Sequence, residues 1–294
     1  MTTATVQANG VTLAYDDHGP SDGPVILLIM GLGAQLIFWP EAMVDALVAK
    51  GFRVVRFDNR DIGLSTKFDH VRPPNPLWVM AKAALGLPTG VPYKLADMAQ
   101  DAVSFMDVLG IERAHVVGAS MGGMIAQLVA ARHPDRVLTL TSIMSTSGAR
   151  GLPQASPELR RALIRPRPVG GGEDALIDAG VAMYGLIGSP GGDPVARREL
   201  ITRAFRRSYA PAGVQRQLAA IIASGSRAAD LPNIKARTLV IHGNIDKLVP
   251  PEGGADTARR IPGARLEMIE NMAHDLPPHA LPKVVDLIAA HAAH

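Results

Sequence analysis

Residues 25–30 read VILLIM, six apolar residues without interruption. A strand with one face in water alternates apolar and polar side chains, so an unbroken run belongs to a strand covered on both faces. Strands covered on both faces are characteristic of parallel sheets, whose crossovers lay helices above and below. The rest of the first half fits that frame. Residues 40–50 have helical spacing through Met43, Val44, Leu47 and Val48, with Gly51 as a stop. Residues 53–57 read as a short strand, 95–109 as a helix, 114–118 as a strand, 121–133 as a helix ended by Pro134, and 137–144 as a strand. Asn9-Gly10, between 3–7 and 11–16, is a hairpin signal and places an antiparallel pair at the start. The alternation predicts an α/β fold: a mostly parallel sheet with helices on both faces.

From about Ser147 to Leu231 the alternation stops. Only helical patterns occur there, over 157–165, 174–186, 194–209 and 212–223, parted by joints such as RPRPVGGG and GSPGGDP. Strand and helix patterns then resume at 237–242, 251–261, 265–269 and 280–291. The reading is a helical insertion, 147–231, within a core formed by 1–146 and 232–294. With 294 residues, 47% of them hydrophobic, the chain is long enough for one large α/β core. Its longest apolar run, 25–34, is ten residues, half of the ~20 that a membrane span needs. A pI near 9.3 hints at a polyanion partner. The surplus, however, sits in 151–230, with 11 basic and 7 acidic residues, whereas the remainder holds 19 and 20. No aromatic-basic pattern accompanies it, so nucleic acid is not expected. The absence of cysteine excludes disulfides, thiolate metal sites and a cysteine nucleophile. The first ten residues, MTTATVQANG, have neither a basic nor an apolar leader region, so a cytoplasmic protein is expected.

Gly118-Ala119-Ser120-Met121-Gly122 follows the apolar strand AHVVG and opens the helix pattern MGGMIAQLVAARH. A G-x-S-x-G in a strand–turn–helix setting is a nucleophile elbow: the serine needs a positive φ, and the flanking glycines let strand and helix approach. The alternative is that Ser120 is a helix N-cap. A serine hydroxyl needs a base, and the base needs a carboxylate. His274 lies in the turn after the last strand pattern, with His242 and His279 as competitors. Asp246 follows the strand RTLVIH, and it could instead be a turn residue capping the next helix. Asp275, adjacent to His274, is read as structural. The order Ser120, Asp246, His274 is the order that accompanies this elbow.

On the segments LLIMGLGAQ, RFDNRDIGLS, VVGASMGGMIAQ, LVIHGNIDKLVP and NMAHDLP, the chain resembles α/β-hydrolase fold serine hydrolases along its length. IMGLGAQLIFWP and FDNRDIGLST look most like the branch of aclacinomycin-methylesterase-like esterases. The resemblance implies an eight-stranded sheet with the insertion serving as a cap after strand 6. It also implies an oxyanion hole from the N–H groups of Leu32 and Met121. Where the family usually has His-Gly after the third strand, this chain has Met30-Gly31-Leu32-Gly33. Backbone donors do not depend on that exchange. The D-x-R-x-x-G-x-S loop from Asp58 to Ser65 is expected to brace the active-site loops through an internal ion pair.

The expected activity is cofactor-free and metal-free hydrolysis of a small-molecule carboxylic ester, small to medium and apolar, through an acyl-enzyme on Ser120. The same triad would serve a C–C bond hydrolase, thioesterase or perhydrolase, and a non-catalytic ligand-binding protein of this fold is the remaining alternative. Monomer and homodimer are both compatible. Phe38, Trp78, Met80, Met183, Tyr184, Leu186 and Ile187 are candidate pocket residues. Trp78 and Met80 fall in 67–93, which reads as a long connecting loop near the pocket mouth. The pairs Arg160/Arg161, Arg197/Arg198 and Arg206/Arg207 read as solvated helix faces.

Overall fold

The computed structural model describes residues 3–164 and 171–293. Eight strands form one sheet: β1 (Ala4–Ala8), β2 (Val11–His18), β3 (Val25–Ile29), β4 (Arg53–Phe57), β5 (Ala114–Ala119), β6 (Val137–Ile143), β7 (Arg237–Gly243) and β8 (Arg265–Ile269). The spatial order is β1-β2-β4-β3-β5-β6-β7-β8. The pairings of β2 with β1 and with β4 are antiparallel, and every other pairing is parallel. Strand order therefore reverses at β3, between β4 and β5. In open α/β sheets the crevice at the carboxyl ends beside such a switch point is where ligands bind.

The helices are α1 (Glu41–Ala49), α2 (Pro76–Ala84), α3 (Leu95–Val108), α4 (Met121–Arg132), α5 (Pro157–Ile164), α6 (Gly172–Ile187), α7 (Pro194–Arg207), α8 (Pro211–Ser224), α9 (Pro251–Arg260) and α10 (Leu281–Ala292). The unbroken apolar run of β3 is explained by period two. Leu27 and Ile29 pack with α3 and α4, while Ile26 and Leu28 pack with α1 and α10. Among the described residues four helices, α5 to α8, lie between β6 and β7 in the chain. Arg165, which the sequence pattern adds to the helix beginning at Pro157, lies outside the described residues.

Segment 67–93 corrects the sequence reading, because it contains α2. Its start is capped locally: the Asn75 side chain accepts from the Leu77 N–H, and Pro76 occupies the first turn. The abundance of proline masked a nine-residue helix that is held mainly by packing on α8.

Candidate active site

The turn between β5 and α4 decides the site. Ser120 has φ +56°, a conformation rare for any residue but glycine. Close approach demands the two glycines beside it. A Cβ on Gly118 would lie 2.2 Å from the Gly122 carbonyl oxygen, and one on Gly122 only 1.9 Å from that of Ile29. The turn is held from outside the motif: the Ser120 N–H donates to the Ile143 carbonyl (2.9 Å), and Ser145 Oγ donates to the Ser120 carbonyl (2.8 Å). The Ser120 side chain makes no capping bond to α4. It turns toward His274, whose Nε2 is 2.9 Å from Ser120 Oγ.

His274 Nδ1 lies 2.7 Å from Asp246 Oδ2. A carboxylate only accepts, so Nδ1 carries the proton and Nε2 is left to accept from the serine hydroxyl. Asp246 is buried, and its second oxygen accepts from the N–H groups of Leu248 and Val249, both at 2.9 Å. The carboxylate thus also organises its own turn. Burial alone would raise its pKa; the charge and hydrogen bonds of His274, with donors from His242 and Val249, more than offset that and hold it well below the usual carboxylate range. His242 serves this turn rather than Ser120. Its Nε2 donates to the Val249 carbonyl (2.8 Å) and lies 3.5 Å from Asp246 Oδ2. His279 is exposed.

The loop after β3 passes directly over the serine: a Cβ on Gly31 would lie 3.0 Å from Ser120 Cβ. Leu32 follows, and Met121, as the first residue of α4, presents an N–H that the helix itself leaves free. Asn59 Nδ2 donates to the Met30 carbonyl (2.8 Å) and fixes the base of this loop. The Gly33 N–H donates to Gln217 Oε1 on α8 (2.9 Å), and Gln217 Nε2 donates to the Arg60 carbonyl (2.8 Å). Gln35 Nε2 donates to the carbonyls of Ala204 and Ser208 at the end of α7.

Two ion pairs join the D-x-R-x-x-G-x-S loop to the inserted helices. Arg207 contacts Asp58 Oδ2 at 2.7 Å and Gln35 Oε1 at 2.7 Å, while Arg216 holds both oxygens of Asp61. Arg60 pairs instead with Asp101 on α3. The solvated-face reading of Arg206/Arg207 is therefore corrected for Arg207: at the last turn of α7 it points into the core loop, whereas Arg206 pairs with exposed Glu173. Tyr184 on α6 packs its ring 6.1 Å from that of Phe38. The Ile187 carbonyl accepts from the His274 N–H (3.0 Å), and Ser189 bonds both Asp275 and the Ala273 N–H. Met183 and Leu186 are half-buried on the same helix. Trp78 and Met80 stand on the solvent side of α2, whose buried residue is Val79.

Sequence spacing does not reveal Gln35, Ser145, Ser189, Arg207, Arg216 or Gln217, because each acts on a residue at least 25 positions distant and belongs to no local motif. Among the described residues no group of three or more His, Asp or Glu is placed to hold a metal ion.

A family model described as alpha/beta hydrolase fold matches residues 24–185. Rhodomycin D methylesterase DauP of Streptomyces sp. (strain C5) is 29% identical over 99% of this chain and 98% of its own length. An esterase from Thermogutta terrifontis superposes with a TM-score of 0.73 at 24% identity, covering 99% of this chain and 97% of that one. The enol-lactonase of Burkholderia xenovorans LB400 superposes with a TM-score of 0.70 at 23% identity, covering 99% and 100%. The model match spans more than half of the residues, including the strand-order reversal at β3 and the Ser120 turn, and the chain belongs to the alpha/beta hydrolase fold family.

Proposed function

We propose that the protein hydrolyses small carboxylic esters through Ser120, His274 and Asp246. The observation that carries this is the unbroken chain Ser120 Oγ to His274 Nε2 (2.9 Å) and His274 Nδ1 to Asp246 Oδ2 (2.7 Å), with the histidine tautomer fixed by the carboxylate. Ser120 attacks the acyl carbon as Nε2 of His274 takes its proton. The negative charge on the carbonyl oxygen falls to the N–H groups of Leu32 and Met121, and Asp246 stabilises the imidazolium. His274 returns the proton to the departing alcohol. Water, deprotonated by the same nitrogen, then cleaves the acyl-enzyme to give the acid and the free serine. These steps use no cofactor.

The full-length likeness to a rhodomycin D methylesterase supports an ester of a modest alcohol. Segment 147–231 acts as the cap over the core of 1–146 and 232–294, with Phe38, Met183, Tyr184, Leu186 and Ile187 contributing apolar surface toward the acyl group. The test is labelling with a fluorophosphonate together with turnover of p-nitrophenyl esters of increasing acyl length. The intact protein is expected to label and turn over, and Ser120→Ala to lose both. Labelling or turnover that survives Ser120→Ala overturns the reading.

A further inference from the structure

The α2 helix turns its apolar side chains to water. Leu77 is 67% exposed, Trp78 69%, Met80 54%, and the residues just past its end, Leu85 and Leu87, 73% and 52%. Only Val79 is buried against the rest of the molecule. Together these side chains present on the order of 600 Å² of apolar surface, at the upper limit of the largest patch on an ordinary monomer. Nothing in ester hydrolysis at Ser120 calls for it.

Along the segment itself the charge is one-signed. Between Asp69 and Asp97 the sequence holds Arg72, Lys82 and Lys94 and no acidic residue. All three cations are exposed, and among the described residues none is in an ion pair. A second copy docked face to face on α2 would set Arg72 and Lys82 against their own counterparts, with carboxylates only at the edges of the segment, Asp69 already paired with Arg216 and Asp97 beside Lys94. The patch also falls short of the ~800 Å² per partner of a stable dimer. An anionic lipid surface satisfies both features. Its headgroups neutralise the cations while Trp78 and the leucines enter the interface, the arrangement of a helix lying in the membrane plane.

We propose that α2 docks the protein on anionic lipid bilayers, with Leu77, Trp78, Met80 and Leu85 inserted at the interface. The helix packs on α8, and α8 holds the loop over Ser120 through Gln217 and Val214. Docking there sets the inserted helices beside the apolar phase. The inference does not rest on the ester-hydrolase reading.

The chain reports on itself, because it has two tryptophans and Trp39 is fully buried. Vesicles of phosphatidylglycerol with phosphatidylcholine are expected to sediment the protein and to shift tryptophan emission to the blue. Trp78→Phe removes that shift. Trp78→Ser with Leu85→Ser abolishes sedimentation while circular dichroism is unchanged, and Lys82→Ser weakens partitioning about fivefold, the worth of one interfacial cation. No partitioning, or equal partitioning onto pure phosphatidylcholine, overturns the proposal. So does a concentration-dependent dimer that Trp78→Ser dissociates without any vesicle binding.

Discussion

Replacing Arg216 by methionine tests how firmly the inserted helices are tied to the core. Arg216 is 1% exposed and Asp61 is fully buried. The guanidinium donates through Nη2 to Asp61 Oδ1 (2.7 Å) and through Nε to Oδ2 (2.9 Å), and it also meets the Val71 carbonyl and Asp69 (both 2.9 Å). Methionine keeps much of the packing but leaves Asp61 with two of its donors, Tyr93 Oη (2.6 Å) and the Phe68 N–H (2.8 Å). Breaking a buried pair from one side costs about 3–5 kcal/mol, and the surviving donors put the expected loss near the low end, about 3 kcal/mol. For a chain of this size that corresponds to a fall in Tm of about 5 °C. Urea unfolding of the single variants and of the double variant with Asp61→Asn gives the coupling directly. The pH dependence adds a check. Burial raises the Asp61 pKa, but Arg216, Tyr93 and Phe68 outweigh it and the net shift is downward. The pair's stabilisation is therefore complete above the unfolded carboxylate value of ~3.9 and is lost as pH falls through the lower folded value. In Arg216→Met the folded value rises toward the unfolded one, so this acid-side loss shrinks. A single-variant cost under about 0.5 kcal/mol, or strict additivity in the cycle, refutes a structural tie through this pair.

Three further outcomes follow from the geometry. Asp246→Asn can present its amide N–H to His274 and favour the wrong tautomer; turnover of p-nitrophenyl esters is expected to fall on the order of 10⁴-fold, as in another serine hydrolase, and retention within tenfold counts against the assigned role. Gly122→Ala places its Cβ 1.9 Å from the Ile29 carbonyl, so expression in soluble form or Tm is expected to collapse, and a wild-type melting curve contradicts the close approach. His115 is buried with Nδ1 2.9 Å from Thr139 Oγ1, and burial, reinforced by His291 and Arg237, lowers its pKa to about 4. The folded state therefore holds it neutral. Its stabilising contribution, roughly 3 kcal/mol, is complete above pH ~6.5 and lost as pH falls toward 4. His115→Asn should flatten stability over that interval in urea titrations, and an unchanged acid slope rules His115 out as its source.

Where strand and helix periods are strong, the sequence alone carried the architecture. VILLIM demanded two covered faces, and the structure covers them with α3 and α4 on one side and α1 and α10 on the other. The glycines of the Ser120 turn were equally legible, because a 1.9 Å approach of backbone to Cβ position leaves no other residue. What the sequence could not disclose is anything that depends on two distant segments meeting. Arg207 has the same local setting as Arg206, yet one is drawn to buried Asp58 and the other to exposed Glu173, and only the packing of α7 on the loop after β4 separates them. Likewise Gln217 carries no motif, although it holds the loop over Ser120. The α2 segment is the converse case: a proline-rich apolar stretch reads as a long loop near the pocket mouth, whereas the folded chain forms a helix beside α8 that buries Val79 and leaves Trp78 and Met80 in solvent. Local periodicity and steric necessity are written residue by residue; long-range pairing is a property of the folded chain.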